Sequence, residues 1–137
     1  MTGFLNGDRR PLLACQFDHA ELPRLRHAVA TQAARAGLTG MRWNDFVLAV
    51  HEAAVNAVDH GGGAGELRLW RSGTMLCCQI SDDGPGAVPG RLNGAALPRL
   101  NGIGGRGLWL IRQLSDEVTF ASGTDGTMLS IAFRLPG

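Results

Sequence analysis

The stretch Phe46-Val-Leu-Ala-Val-His-Glu-Ala-Ala-Val-Asn-Ala-Val-Asp-His60 reads as an amphipathic helix around which the rest of the chain is organised. At about 100° per residue, the apolar side chains of this region fall within one arc of roughly 140°, a normal core-facing stripe. They are Trp43, Phe46, Val47, Val50, Ala53, Ala54, Ala57 and Val58. Glu52, Asn56 and His60 stand four residues apart and lie above one another on the opposite side. A carboxylate, an amide oxygen and an imidazole therefore face one volume.

This polar stripe has two interpretations. Three stacked polar side chains that run into Gly61-Gly-Gly63 are suited to hold a hydrated metal ion and to act on a proton beside it. A solvated helix face is the plainer interpretation, because every amphipathic helix needs polar residues on one side. The stripe taken alone favours the solvated face.

Length and charge restrict the class of protein. A chain of 137 residues fits a single domain with a core of its own, which we expect at residues 11–137 after a flexible N-terminus at residues 1–10. The net charge of +1, with both signs mixed along the chain, argues against direct binding of nucleic acid. All basic side chains apart from histidine are arginines, and the absence of lysine excludes a Walker A loop and the strand lysine of ordinary protein kinases.

The cysteines and the apolar runs indicate a cytoplasmic protein. Cys15, Cys77 and Cys78 are odd in number, and adjacent strand residues point to opposite faces, so neither a disulfide framework nor a metal-site spacing is present. We expect buried thiols in a reducing cytosol. No apolar run approaches the roughly 18 residues of a membrane span, and residues 1–7 lack the build of a signal peptide. The expected protein is soluble and has no membrane partner.

The order of the predicted elements gives the fold class. A first helix begins with the capping-box spacing of Asp18-His-Ala-Glu21 and ends at Gly37. The central helix follows from about Arg42 to His60, and a third helix runs from Arg106 to Leu114. Strands are predicted at residues 12–17, 66–71, 74–81, 117–122 and 127–135. This order predicts an α+β fold in two layers, with a mixed, mostly antiparallel sheet covered on one face by three helices.

Two glycine motifs flank a long segment rich in glycine and proline, which is typical of a functional lid or a disordered loop. In Asp82-Asp-Gly-Pro-Gly86, a fixed carboxylate is suited to accept an exocyclic amine, and the glycines let a flat base approach the backbone. In Gly102-Ile-Gly-Gly-Arg-Gly107, the start of a helix presents free N–H groups to an anion. The plainer alternatives are an ordinary turn and an ordinary helix start. A dinucleotide fold is disfavoured, because no strand precedes the second motif.

The order of these motifs resembles a known superfamily, the ATP-binding domains of gyrase, chaperone, histidine-kinase and mismatch-repair proteins. Glu52 to His60 resembles its N box, Asp82 to Gly86 its first glycine box, Gly102 to Leu108 its second, and Gly126-Thr127 its final Gly-Thr element. The resemblance covers about residues 12–135 and implies the Bergerat-type ATP-binding fold. The segments Glu52–His60 and Gly105–Ile111 are most similar to those of the bacterial anti-sigma-factor serine/threonine protein kinases.

The resemblance implies a site for ATP and Mg²⁺. Asp82 would bind the adenine amine, and Asn56 would give Mg²⁺ an oxygen ligand. Glu52 would be the general base that takes the proton of a serine or threonine hydroxyl, and Arg106 would stabilise the transferring phosphoryl group. The other implied nucleotide-binding residues are His60, Gly84, Gly86, Gly102, Gly104, Gly105, Gly107, Leu108 and Thr127.

The resemblance also implies partners. Similar proteins phosphorylate a STAS-type anti-anti-sigma protein, bind either that protein or a sigma factor, and often form homodimers. Two other functions stay open. One is a non-catalytic ATP-binding module in which the nucleotide changes the affinity for protein partners. The other is the detached ATP-binding domain of a histidine kinase, which is less favoured because no helix pair with a substrate histidine precedes residue 12.

Overall fold

A computed structural model describes residues 10–60, 62–82, 105–123 and 126–136, without the side chains of residues 105, 106, 122 and 123. Residues 1–9 of the expected flexible N-terminus lie outside this description. The strands are β1 (Leu13–Asp18), β2 (Ala64–Ser72), β3 (Met75–Asp82), β4 (Glu117–Gly123) and β5 (Gly126–Arg134). The helices are a 3-10 turn (His19–Glu21), α1 (Leu22–Ala36), α2 (Gly40–His60) and α3 (Gly105–Leu114). Within the described ranges, no helix is both long and apolar enough to cross a membrane.

The strands form one sheet in the order β1-β2-β3-β5-β4. Each neighbouring pair is antiparallel, including β3 and β5, which come together because β5 lies between β3 and β4. The α+β class and the two-layer architecture are therefore confirmed. The expected sheet was mostly antiparallel, and the described strand pairs are antiparallel throughout.

The first helical segment begins and ends where local chemistry predicts. Asp18 Oδ1 accepts a hydrogen bond from the Glu21 backbone N–H at 3.1 Å, and Glu21 Oε1 accepts one from the Asp18 N–H at 3.0 Å. This reciprocal pair is the predicted capping box. α1 then ends at Gly37. The Trp43 indole N–H donates to the Ala30 carbonyl oxygen at 2.8 Å, which links α2 to α1.

The core lies between the helices and one face of the sheet. Every residue of the predicted apolar stripe of α2 is buried except Trp43, which is half-buried, and Ala49 is buried in addition. On β3, Leu76, Cys78 and Ile80 are buried, so this alternation identifies the face that the helices cover. Cys77 points the other way. Of the three thiols expected to be buried, only Cys78 is fully so, while Cys15 and Cys77 are half-buried.

A polar network joins the start of α2 to Asp116, which lies in the two-residue link between α3 and β4. Arg42 Nη2 lies 2.7 Å from Asp116 Oδ2 and 2.9 Å from the Arg134 carbonyl oxygen. The same Asp116 oxygen accepts the Arg134 backbone N–H at 2.7 Å. The Arg42 guanidinium also stacks over the Phe133 ring, 4.8 Å from its centre. The first turn of α2 is thus tied to the end of β5 and to Asp116.

Asp116 is expected to make the fold sensitive to acid. The Arg134 N–H, with help from Arg42, holds the pKa of the Asp116 carboxyl below its ordinary value. A carboxyl of this kind stabilises the folded state fully above its unfolded pKa of about 3.9, and the stabilisation disappears as the pH falls through the folded value. In urea unfolding, Asp116→Asn should cost up to about 1 kcal/mol near neutral pH. That cost should shrink steadily as the pH falls below about 3.9, and a cost independent of pH would contradict the assignment.

Candidate functional site

Two side chains of α2 lie against the first turns of α3. A Cβ atom placed on Gly107 would be 3.1 Å from Asn56 Nδ2, 3.4 Å from Asn56 Oδ1 and 3.3 Å from Glu52 Oε1. These distances are shorter than most Cβ contacts in proteins, so the absence of a Cβ helps the α3 backbone to approach both side chains. The polar stripe of α2 and the second glycine motif, far apart in sequence, therefore meet in the fold.

The direction of α3 decides what it presents at this meeting point. Asp116, just after α3, contacts the start of α2, whereas Gly107, in the first turn of α3, lies against Glu52 and Asn56. The two helices are therefore antiparallel, and the N-terminal end of α3 faces these side chains. The first N–H groups of a helix have no intrahelical partner and carry partial positive charge. An anion bound there would lie close to a carboxylate and an amide oxygen.

A second polar pair lies at one end of the inner strands β3 and β5. The Thr127 hydroxyl donates to Asp82 Oδ2 at 2.6 Å, and the two residues pair across β3 and β5. Asp82 continues the alternation of Cys78 and Ile80, and Thr127 continues that of the buried Leu129, so both side chains point to the helix-covered face. The hydroxyl restricts the orientation of the carboxylate, because an ionised carboxylate can only accept.

Gly65 brings the two pairs to the same end of the fold. A Cβ on Gly65 would lie 3.1 Å from the Ala57 methyl group and 2.8 Å from the Phe17 ring, so the last part of α2 rests directly on β2. Since Glu66 pairs with Ser81, Gly65 lies level with Asp82 at the adjoining step of the sheet. Ala57 follows Asn56 in the chain. Asn56 and Asp82 therefore lie at one end of the molecule and on one side of the sheet.

The remaining predicted residues divide into those the structure describes and those it does not. His60 is the last residue of α2 and is half-buried. Gly105 begins α3, and Leu108 in the same helix is buried. Arg106 lies in the first turn of α3, and its side chain is outside the description. Gly84, Gly86, Gly102 and Gly104 also lie outside the described residues.

The electrostatic surroundings of Glu52 include its neighbour His51, which the sequence motifs do not single out. Burial lowers the pKa of His51, Arg26 lowers it further, and Glu52 opposes the shift. The imidazole is therefore mostly neutral near pH 7 and supplies little positive charge to the Glu52 carboxylate. In the described part of the chain, no three His, Cys, Asp or Glu side chains come close enough together to hold a metal ion. A cation here would need Asn56 and oxygens from a ligand.

Sequence reasoning missed two contacts of the site. Gly126-Thr127 was matched as a motif, but its hydrogen bond to Asp82 depends on β5 lying next to β3, which no local pattern reveals. Gly65 stood in a glycine-rich run that gave no sign of a close helix–sheet contact. The packing of Phe17 and Ala57 against Gly65 depends on the tertiary fold, so no local sequence pattern reveals it.

A family model described as the histidine kinase-like ATPase domain matches residues 15–133. The chain belongs to this family. The matched range includes α2, the Asp82–Thr127 pair and Gly107, so the site lies wholly inside the ATPase domain. The family is one of ATP-binding domains, and ATP usually enters with Mg²⁺. No curated protein matches the chain.

Solved structures share the fold of this ATPase domain. The catalytic domain of the histidine kinase ThkA has a TM-score of 0.59 at 13% identity, over 92% of this chain and 100% of that one. The histidine kinase domain of a blue-light-activated kinase from Erythrobacter litoralis has a TM-score of 0.54 at 24% identity, over 85% of this chain and 64% of that one. The Acinetobacter baumannii histidine kinase AdeS has a TM-score of 0.53 at 14% identity, with coverages of 93% and 70%. This chain therefore spans less than two thirds of the Erythrobacter chain.

Gly107→Ala should separate binding from stability. Alanine favours a helix over glycine by up to about 1 kcal/mol, and the crowding around the added methyl group opposes this gain, so the melting temperature should change little. The added methyl group would press on Asn56 and Glu52, and we expect the dissociation constant of ATP with Mg²⁺ to rise about tenfold or more. Isothermal titration calorimetry checks this, with Gln113→Ala on the same helix as the control. Unchanged ATP affinity would show that the contact has no part in binding.

Asp82→Asn and Thr127→Val should weaken binding of adenine nucleotides much more than they lower the melting temperature. The first removes the charge and the second the hydroxyl that orients it. Loss of one hydrogen bond to a charged group corresponds to roughly a tenfold or greater loss of affinity. The ATP-induced rise in melting temperature reports it. Equal rises for the wild type and both variants would rule out a role for this pair in nucleotide binding.

Proposed function

We propose that this chain is an ATP-dependent serine/threonine protein kinase and anti-sigma factor, which phosphorylates a STAS-type anti-anti-sigma protein and regulates sigma-factor availability. The observation that supports transfer is the contact of Gly107 with both Glu52 and Asn56. This contact brings a carboxylate and an amide, the proposed base and cation ligand, to the N-terminal end of α3. Membership of the ATPase family supports the nucleotide, and the motif resemblance supports the serine/threonine substrate.

The adenine end of the nucleotide is assigned to the end of strands β3 and β5 where Asp82 and Thr127 lie. In this proposal the Asp82 carboxylate, oriented by Thr127, accepts a hydrogen bond from the exocyclic amine of adenine. Gly84 and Gly86 would let the flat base approach the backbone. A neutral amide at position 82 would present a donor as readily as an acceptor, so the carboxylate gives the site its preference for an amine.

The phosphate end is assigned to the N-terminus of α3. Its first N–H groups, the Leu108 amide and the glycines around it would hold the phosphate oxygens, with His60 in a supporting role. The glycines concerned are Gly102, Gly104, Gly105 and Gly107. Asn56 offers the kind of oxygen that Mg²⁺ prefers, and this cation commonly takes its other ligands from waters and phosphates. When bound, Mg²⁺ would offset the charge of the phosphate oxygens.

Glu52 is assigned the role of general base, which accepts the proton of the substrate hydroxyl. It lies one helical turn before Asn56, and Glu52 Oε1 and Asn56 Oδ1 approach the same point on α3. A serine or threonine hydroxyl that reaches the γ-phosphate would therefore lie near a carboxylate able to accept its proton. The new oxygen–phosphorus bond would form as the bond between the γ-phosphorus and the oxygen bridging it to the β-phosphate breaks, and ADP would leave. Arg106 would stabilise the charge of the transferring phosphoryl group.

The partners and the location are part of the same proposal. A STAS-domain protein would be the phosphate acceptor, a sigma factor would be the alternative binding partner, and the chain would act as a homodimer in the cytoplasm. Two other functions remain candidates. The likeness to histidine kinases favours a detached histidine-kinase ATPase domain, and a non-catalytic ATP-binding module would use the same nucleotide site without transfer.

Phosphoryl transfer decides between these functions. The chain is incubated with γ-labelled ATP, Mg²⁺ and candidate STAS-domain proteins, and the label on the partner is measured over time. Glu52→Gln should lower the transfer rate by about 10²- to 10⁴-fold while ATP still binds. Glu66→Gln, an exposed carboxylate on β2, is the control and should transfer normally.

The chemistry of the labelled partner separates the alternatives. Label that withstands acid and is lost in alkali is a phosphoserine or phosphothreonine, whereas label with the opposite behaviour would support the histidine-kinase function. ATP binding without transfer to any partner would support the non-catalytic module. Full transfer by Glu52→Gln would contradict the role assigned to this carboxylate.

A further inference from the structure

The ion pair between Arg42 and Asp116 lies at the other end of α3 from the candidate site. We propose that Asp116 is a positioning residue, which through Arg42 fixes α3 on α2 and so sets where the N-terminal end of α3 meets Glu52 and Asn56. This inference rests on the proposed phosphate site at that end of α3. It assigns a role in nucleotide binding to a pair that touches no nucleotide.

The contacts at Asp116 are specific enough to fix a position. One carboxylate oxygen accepts both the Arg42 guanidinium and the Arg134 backbone N–H, each at 2.7 Å. The Asp116 backbone N–H donates to the Ala132 carbonyl oxygen at 3.2 Å. Asp116 is therefore held by its main chain and its side chain to the same strand, β5. It also binds the first turn of α2.

Arg42 is held as firmly on its own side. Its guanidinium lies over the Phe133 ring, and Phe46, one turn further along α2, meets the same ring edge-on at 5.0 Å between centres. Phe46 and Phe133 are fully buried. The planar guanidinium thus connects a rigid part of the core to Asp116, so a shift of α3 relative to α2 would have to break this stack or the ion pair.

A tilt of α3 about its middle would move both of its ends. Gly107 lies near one end of α3, and Asp116 lies two residues beyond the other end. The fully buried Ile111 lies between them and can act as a pivot. At about 1.5 Å per residue, Gly107 is roughly 6 Å from Ile111 along the axis, so a tilt of about 10° would move Gly107 by about 1 Å. Misplacement by about 1 Å is enough to impair a reaction strongly.

The ion pair between Arg42 and Asp116 is expected to contribute little to the free energy of unfolding. The Arg42 and Asp116 side chains keep 41% and 32% of their surface exposed, and ion pairs in contact with water contribute little to the free energy of unfolding. A cation in the first turn of a helix also opposes the helix dipole. A positional role accounts for a cation at this place, because the guanidinium reaches a carboxylate, a carbonyl oxygen and an aromatic ring at once.

The test compares ligands that sample different ends of the site. Asp116→Asn and Arg42→Gln should raise the dissociation constant of ATP with Mg²⁺ by about fivefold or more and leave that of adenosine within about twofold, because adenosine has no phosphate. Glu117→Gln removes the neighbouring exposed carboxylate and should change neither constant. The double variant should weaken ATP binding by less than the two single effects combined, since both substitutions remove the shared Arg42–Asp116 contact. Equal weakening of ATP and adenosine would overturn the inference.

A second measurement needs no nucleotide. Hydrogen exchange followed by mass spectrometry should show faster exchange of the amides of residues 108–111 in Asp116→Asn and Arg42→Gln than in Glu117→Gln. Unchanged exchange in that segment would overturn the positioning role whatever the binding data show. If the wild type binds neither ATP nor adenosine, the proposed nucleotide site is wrong, and the exchange comparison still decides whether Asp116 positions α3.

Discussion

The site depends on how closely the backbone of α3 approaches α2. Gly107 lies so near α2 that a Cβ would be crowded by both the Asn56 and the Glu52 side chains. This contact joins two motifs that are distant in the chain. Because the helices are antiparallel, the contact brings the positive end of one helix to the acidic and amide side chains of the other. Bulk at position 107 would separate the helix end from both oxygens at once.

The two halves of the site come from different layers of the fold. Asp82 and Thr127 belong to neighbouring strands, whose ladder of hydrogen bonds holds them in register. Glu52, Asn56 and the start of α3 belong to the helical layer, where side-chain packing decides the spacing. Gly65 connects the layers by letting α2 rest on β2. The proposed base-binding half is thus held by the sheet, while the spacing of the proposed phosphate-binding half depends on how the helices pack.

Much of the architecture was predictable from the sequence, since its elements carry strong local signals. The capping box at Asp18 and the apolar stripe of α2 set their helices in the predicted places, and both hairpins follow from turn residues. The position of β5 between β3 and β4 was not predictable, and the Asp82–Thr127 bond depends on it. The Arg42–Asp116 pair was equally hidden. Exposed polar residues distant in sequence have no periodicity that would reveal a contact.

Burial also has a consequence for the cysteines. Desolvation raises the pKa of all three thiols, with nearby Glu21 adding to the effect at Cys15 and Glu117 at Cys77. At neutral pH nearly all of each thiol is protonated, and the protonated form is a poor nucleophile toward peroxide or alkylating agents. The folded domain should therefore tolerate oxidising conditions that modify an ordinary exposed cysteine. Labelling of Cys78, the fully buried thiol, would then report transient opening of the sheet.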